Sequence, residues 1–257
     1  MRSASLAICV FMVFSALYSQ NAEQEPNTVI KSFSKAKMFL NKIVYSEEKR
    51  RKTFYCGCAY DQKLKINAES CGYITRKDKK RAGRVEWEHI VPASEFGKNL
   101  KEWKEGHPDC TNKKGNPFKG RNCASKMNKQ FQLMQADMYN LVPAIGEINA
   151  DRTDFKYGII SGERKEYGNC DFEIENKTAE PNLRIRGDIA RIFMYMDSAY
   201  PGFDIINSNN RALFKEWNDT DPIDADECSR SAAIEKIQKN ENLILKKPCE
   251  KILMDKH

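Results

Sequence analysis

The arrangement of cysteines constrains the fold of this 257-residue chain more than any other feature of its sequence. Nine cysteines are present, and the first, Cys9, lies in the apolar stretch 6–17 that follows a single arginine. One positive charge, a short apolar stretch and then small residues are typical of a secretory signal peptide. The stretch is shorter than the ~20 residues that a membrane span needs, although an uncleaved N-terminal anchor is the alternative. We therefore predict a signal peptide at 1–22 and a mature domain at 23–257.

Removal of the signal peptide takes away Cys9 and leaves an even number of cysteines. In an exported chain, an even number of cysteines predicts disulfide bonds. The alternative is a zinc site, but Cys56 and Cys58 have one residue between them rather than the two to four usual in a structural zinc site. The sequence leaves the pairing open, and the eight cysteines are Cys56, Cys58, Cys71, Cys110, Cys123, Cys170, Cys228 and Cys249.

The charge balance favours an acidic partner. Lysine and arginine number 43 against 36 aspartate and glutamate residues, which gives a formal net charge of +7. Such an excess is compatible with nucleic acid binding without proving it. The three histidines are His89, His107 and His257, and this scarcity excludes a zinc site built on several histidines. Beyond the signal peptide, no segment is apolar enough to span a membrane, so we expect no membrane contact after cleavage.

Hydrophobic periodicity predicts more helix than strand. The chain has no internal repeat and no long linker, so we predict an α+β fold: a mixed, helix-rich single domain stapled by disulfides. Pro and Gly residues predict a loop over 104–123. The predicted helices are 27–46, with Asn27 as its N-cap, 125–140, 188–199, 209–218 and 229–239, and the predicted strands are 54–58 and 84–90.

The segment Glu86-Trp87-Glu88-His89 carries the most informative chemistry. In a strand, Glu86 and Glu88 share one face, while Trp87 and His89 share the other. A carboxylate beside an imidazole suits metal-assisted hydrolysis, because the carboxylate binds Mg²⁺ and the histidine accepts a proton near neutral pH. The alternative is that this Glu-His pair is purely structural. The pattern is not His-Glu-x-x-His, so a zinc protease has no support.

Several motifs in order make the sequence similar to the bacterial endonuclease I family, whose members are secreted or periplasmic non-specific nucleases. The resemblance covers nearly the whole mature chain. The matching segments are 55–58, 71–73, 86–93, Phe96-Gly97, Gly120-Arg121-Asn122-Cys123, 136–149, 167–170, 179–181 and 186–191. Two departures are the long segment 98–119, which leaves the partner of Cys110 open, and Ala150, which stands where a glycine is expected.

The resemblance implies a ββα-metal (His-Me finger) active site. Glu88 corresponds to the metal-binding carboxylate, and Asn140 to a second metal ligand projected from the helix of that unit. His89 corresponds to the general base, and Arg121 to an arginine that contacts the scissile phosphate. Glu86 corresponds to an acidic residue beside the site. The implied cofactor is one Mg²⁺, with Mn²⁺ or Ca²⁺ as substitutes. Without the resemblance, Asn140 would be interpreted as a helix-terminal residue and Arg121 as a surface arginine.

The resemblance also implies the reaction, which is hydrolysis of DNA, with RNA as a second substrate, to 5′-phosphate ends. Phosphate contacts carry no base information, so such an enzyme is sequence-tolerant. We predict nucleic acid contacts at Arg152, Arg186 and Lys126, and we expect a monomer in the periplasm or outside the cell. The alternatives are a catalytically silent, basic nucleic-acid-binding module and a hydrolase of small phosphate esters.

Overall fold

The structure is a computed structural model that describes residues 23–162 and 164–254. The predicted signal peptide at 1–22, with Cys9, and His257 lie outside the described residues. The strands are β1 (Val85–His89), β2 (Leu141–Ile145), β3 (Lys156–Tyr157), β4 (Phe172–Glu175) and β5 (Thr178–Pro181). The helices are α1 (Phe33–Phe39), α2 (Lys79–Ala82), α3 (Ala93–Gly97), α4 (Lys101–Lys104), α5 (Arg121–Met127), α6 (Lys129–Gln135), α7 (Gly146–Arg152), α8 (Arg186–Ala199), α9 (Arg211–Thr220), α10 (Ala225–Gln238) and α11 (Leu243–Met254).

Disulfide bonds link all eight cysteines of the described residues, as their even number predicted. The longest link, Cys56–Cys170, joins residues 114 positions apart and ties the start of the domain to the strand β4 region. The shorter links span 13, 13 and 21 residues. They are Cys58–Cys71, Cys110–Cys123 and Cys228–Cys249. The fold is therefore mixed helix and sheet stapled by disulfides, and none of the helices described is long and apolar enough to cross a membrane.

The first helix begins later than the predicted 27–46. The Asn27 side chain accepts hydrogen bonds from the backbone N–H groups of Val29 (3.1 Å) and Ile30 (2.8 Å), which turns the chain before any helix forms. The N-cap of α1 is instead Ser32, whose side chain accepts from the backbone of residue 35. Helix α1 then continues as a π-helix over Leu40–Val44. Asn27 was therefore wrongly predicted as the cap.

The predicted helix 125–140 is divided into three pieces. Asn128 has extended backbone (φ −100°, ψ 111°), and its side chain accepts from the backbone N–H of Phe131 at 2.9 Å, so it ends α5 and caps α6. A separate 3₁₀ turn, Met138–Asn140, is capped by Asp137. Asn140 therefore lies in this turn, directly before β2, and not at the end of a long helix.

The other predicted elements divide into confirmed and corrected ones. Strand 84–90 is β1, and the helices predicted at 188–199, 209–218 and 229–239 are α8, α9 and α10 with shifted ends. The predicted strand 54–58 is wrong, because Thr53 and Gly57 close a turn there (Gly57 N–H to Thr53 O, 2.7 Å) in which Gly57 adopts φ +66°. Helix α11 was not predicted.

Strands β1 and β2 form an antiparallel pair, and β1 carries Glu86, Glu88 and His89. Val85 faces Ile145, and His89 faces Leu141 across the pair. Strand β2 runs directly into α7, which begins at Gly146. A Cβ atom at Gly146 would lie 2.7 Å from the backbone oxygen of Arg81 in α2 and 2.9 Å from the carboxyl carbon of Glu86 in β1. Only glycine therefore lets α7 begin this close to α2 and β1. A separate sheet has the strand order β3-β5-β4.

Candidate active site

A cavity of about 970 Å³ opens beside the end of β1 and brings together half of the predicted site residues. Glu86, Glu88 and His89 of β1 line it together with Arg121 of α5. Asn149 of α7 also lines the cavity, although it was not among the predicted site residues. The lining does not include Asn140, Arg152, Lys126 or Arg186.

Glu88 is a buried carboxylate held in a fixed orientation. Its side chain is 4% exposed. Its Oε1 atom accepts hydrogen bonds from Arg152 Nη1 at 2.9 Å and from the Tyr55 hydroxyl at 3.2 Å. Burial raises the pKa of Glu88, and the positive charge of Arg152 opposes that rise. Both hydrogen bonds are accepted by Oε1, so Oε2 is the carboxylate oxygen that remains available to a ligand in the cavity.

His89 is buried with one ring nitrogen committed to the backbone. Its Nε2 lies 2.9 Å from the carbonyl oxygen of Gln135. A carbonyl oxygen only accepts hydrogen bonds, so Nε2 carries the proton and Nδ1 keeps its lone pair. The ring packs 4.9 Å from the Phe33 ring. Burial, aided by the nearby charge of Arg121, lowers the pKa of His89 to about 3, so the imidazole is neutral at neutral pH.

Arg121 supplies exposed positive charge to the cavity. It is the first residue of α5, and its guanidinium carbon lies 5.6 Å from the Phe33 ring centroid. Among the described residues it has no carboxylate partner within salt-bridge distance. An arginine that is not engaged in an ion pair retains its planar set of donors for a ligand such as phosphate.

Glu86 is half-buried and neutralised by two arginines. Arg81 Nε donates to Oε1 at 3.1 Å, and Arg84 Nε donates to the same oxygen at 3.0 Å. The side-chain amide of Asn149 donates to Oε2 of Glu86 at 3.3 Å. This contact orients the Asn149 amide. Its Nδ2 points to Glu86, and its Oδ1 has no hydrogen-bond partner within the part of the chain that the structure describes. Glu86 therefore lies beside the site, as predicted, and positions a neighbour.

The structure corrects the placement of Asn140. Its side chain is fully buried. Its Oδ1 accepts from Val91 N–H at 2.7 Å, and its Nδ2 donates to Val91 O at 3.0 Å. Both ends of the amide are thus used to hold the 3₁₀ turn against the segment that follows β1. The order strand, strand, helix was the signal in the sequence that could have directed attention to Asn149 of α7.

The structure places Arg152, a predicted nucleic acid contact, in the interior. Its side chain is 1% exposed and forms an ion pair with Glu88. Its two terminal nitrogens also donate to the backbone carbonyls of His89 (2.8 Å) and Ile90 (2.9 Å), and its Cζ lies 4.6 Å from the Tyr157 ring centroid. The charge and donors of Arg152 are used inside the fold, where they support Glu88 and the end of β1.

Neither remaining predicted nucleic-acid contact lies in the cavity. Arg186 is largely buried, pairs with Glu180 at 2.6 Å and lies 5.4 Å from the Trp217 ring, so its charge is used within the fold. Lys126 is exposed, but its ammonium donates to the carbonyl of Asp109 and lies 5.9 Å from the Phe118 ring centroid. Of the two, only Lys126 is accessible to a ligand.

The oxygen donors of the cavity could hold a hard cation. Within residues 23–162 and 164–254, no three His, Cys, Asp or Glu side chains cluster as a metal site. Of the three carboxylates that line the cavity, Glu86 is paired with two arginines and Asp154 accepts a hydrogen bond from Ser94. Glu88 is the carboxylate that remains for a cation through Oε2, and Asn149 of α7 supplies an amide oxygen. Mg²⁺ retains several waters and needs only one or two protein oxygens beside its substrate, so this donor pair fits such an ion.

The sequence matches the family described as Endonuclease I over residues 21–249. An extracellular deoxyribonuclease of Aeromonas hydrophila is 36% identical over 252 residues, covering 95% of this chain and 98% of that protein. A periplasmic deoxyribonuclease of the same organism is 40% identical over 205 residues, covering 77% and 79%. Endonuclease-1 of Buchnera aphidicola subsp. Acyrthosiphon pisum is 38% identical over 227 residues, covering 86% and 83%.

Proposed function

Because the chain belongs to the endonuclease I family, we propose that it is a secreted endonuclease that hydrolyses phosphodiester bonds of DNA in the cavity beside β1. The observation that carries this proposal is the state of His89. Its Nε2–H donates to the Gln135 carbonyl, so the unprotonated Nδ1 is the nitrogen available in a cavity that the buried carboxylate of Glu88 also lines. Relatives named extracellular and periplasmic deoxyribonucleases support export to the periplasm or the medium.

His89 acts as the general base in this proposal. Its neutral imidazole accepts a proton from the attacking water at Nδ1. The Gln135 carbonyl, 2.9 Å from Nε2, then stabilises the imidazolium by accepting a stronger hydrogen bond. A phosphodiester in the cavity adds negative charge, which raises the pKa of His89 from its low value toward that of a useful base.

Arg121 binds the scissile phosphate. Its guanidinium presents paired N–H donors that match two phosphate oxygens, and lysine would not reproduce this geometry. Phosphate binding of this kind is independent of base identity, so the enzyme cleaves without strong sequence preference. We extend the proposal to RNA as a second substrate, because a phosphodiester is common to both polymers.

Glu88 and Asn149 would hold the divalent cation, and Asn149 takes the role that the sequence analysis gave to Asn140. Arg152 and Tyr55 fix the Glu88 carboxylate through Oε1, and Glu86 orients the Asn149 amide. When bound, Mg²⁺, or Mn²⁺ or Ca²⁺ as a substitute, would stabilise negative charge on the phosphate and the leaving oxygen. In this proposal β1, β2 and α7 form a ββα-metal unit, and cleavage leaves 5′-phosphate ends.

Cleavage of supercoiled plasmid by the purified protein tests the proposal. We expect nicking with Mg²⁺, and loss of nicking with EDTA or in His89→Ala. His107→Ala is the matched control, because His107 is 39% exposed and lies outside the cavity lining, and it should retain activity. Ligation of the products to a 3′-hydroxyl acceptor tests for 5′-phosphate ends. EDTA-resistant cleavage, or full activity of His89→Ala, would refute the mechanism. Binding without any nicking would favour the silent binding module.

A further inference from the structure

One wall of the cavity has no part in the chemistry proposed above. It comes from α1 and the π-helix that follows it, and we call it the α1 face. Its members lie at positions i, i+1, i+4, i+5, i+8 and i+9, which is the spacing of a single helical face. At ~1.5 Å per residue they extend about 13 Å away from the catalytic groups. The residues of the α1 face are Phe33, Ser34, Lys37, Met38, Asn41 and Lys42.

The α1 face carries positive charge that the fold does not neutralise. Neither Lys37 nor Lys42 forms a salt bridge within the residues that the structure describes. The Lys37 ammonium lies 4.7 Å from the centroid of the Phe33 ring, which also packs against His89. The face therefore begins at the general base and continues outward as a basic strip. Elsewhere in the cavity lining, the carboxylate of Asp154 accepts a hydrogen bond from Ser94 at 3.1 Å.

Two further features of the α1 face are unusual for a surface with no ligand. Met38 is 41% exposed although it lies in a concave wall. The π-helix that carries Asn41, Leu40–Val44, is a rare conformation that is frequent at functional sites.

We propose that the α1 face binds the phosphodiester backbone of the substrate strand on one side of the scissile bond, with Lys37 and Lys42 as its phosphate contacts. This inference rests on the proposed function. A B-form strand rises 3.4 Å per nucleotide, so the face spans roughly four nucleotides. The two lysines are five residues apart, about 7.5 Å along the helix, which corresponds to about two nucleotide steps. Phe33 and Met38 then supply apolar contact to sugars or bases.

The test compares two charge-matched double variants. Lys37→Gln/Lys42→Gln removes the proposed contacts. Lys31→Gln/Lys35→Gln removes the same charge from the same segment at exposed positions outside the cavity lining. Binding of a fluorescent DNA duplex is measured by anisotropy in EDTA over a series of salt concentrations. Each lost phosphate contact lowers the slope of log K against log salt by about 0.9, so we expect a loss of about two from the first variant.

The control variant should keep the wild-type slope. In plasmid cleavage, Lys37→Gln/Lys42→Gln should raise KM more than it lowers kcat, because it removes binding rather than chemistry. An unchanged slope, or an equal loss in the control pair, would overturn the inference. If wild-type protein cleaves DNA while the slope is unchanged, only the α1 face proposal fails. If wild-type protein binds DNA with a lysine-dependent slope but never cleaves it, the proposed function fails and the α1 face stands.

Discussion

Arg152→Met isolates the support that lies behind the proposed active site. The arginine side chain is 1% exposed and forms hydrogen bonds with Glu88 Oε1 (2.9 Å) and the carbonyls of His89 (2.8 Å) and Ile90 (2.9 Å). Methionine fills much of the same space with a flexible apolar side chain. The substitution therefore removes the charge and the donors while limiting the cavity it creates.

The expected loss of stability follows from the burial of the partner. Removing one member of a buried ion pair costs about 3–5 kcal/mol, because it leaves an uncompensated charge in the interior. Glu88, with a 4% exposed side chain, would be that charge. Adding Glu88→Gln to Arg152→Met removes it, so the double variant should recover about 2 kcal/mol or more of the loss. We also expect cleavage by Arg152→Met to fall by at least about 100-fold, since a misplaced carboxylate spoils the site.

Urea unfolding in EDTA measures these stabilities without a contribution from a bound cation. Arg186→Met is the control, because Arg186 pairs with Glu180 in a less buried position, 13% and 14% exposed, outside the cavity. It should lose less stability and keep activity. A loss below about 1 kcal/mol in Arg152→Met, or no recovery in the double variant, would refute the reasoning.

The remaining predictions concern the amides, acid stability and a disulfide. Asn149→Ala should abolish cleavage and weaken calorimetric Mg²⁺ binding with little loss of stability, whereas Asn140→Ala should lower stability by about 1–3 kcal/mol; the reverse pattern would restore Asn140 as the ligand. Burial would raise the pKa of Glu147, but hydrogen bonds from three backbone N–H groups and a tyrosine hydroxyl hold that pKa below its usual value. Its stabilising contribution is therefore present above the unfolded pKa and lost as pH falls through the lowered folded pKa, so the stability deficit of Glu147→Gln in urea unfolding should be full at neutral pH and shrink as the solution is acidified. Cys56→Ala/Cys170→Ala should cost about 4–5 kcal/mol, more than the loss of either bridge that spans 13 residues, and dithiothreitol should abolish activity; an active, fully reduced protein would contradict this.

The sequence located the site through β1, where the chemistry is local. Glu88 and His89 are the last two residues of β1, and both line the cavity at that end of the strand. Asn140 and Asn149 could not be separated in this way. The choice depended on where a helix ended, and the Asn128 cap, which divides the predicted helix, is a side-chain to backbone contact that periodicity does not report.

Charge was the least predictable property. Arg152 and Arg186 were predicted to contact DNA, but each forms an ion pair within the fold, with Glu88 and Glu180 respectively. The sequence gives no direct sign of such a pairing, because Glu88 lies 64 residues from Arg152. Lys37 and Lys42, which do line the cavity, lie in a helix whose start was misplaced by the Asn27 prediction.

The Cys56–Cys170 bridge has a consequence for the cell that makes this protein. Tyr55, whose hydroxyl donates to Glu88, directly precedes Cys56, so the bridge and one support of the site share a stretch of backbone. Thiols remain reduced in the cytosol, and a chain there lacks a link that spans 114 residues. For a nuclease exported as proposed, the reduced chain in the cytosol would lack this support of the site until the bridge forms on the far side of the membrane.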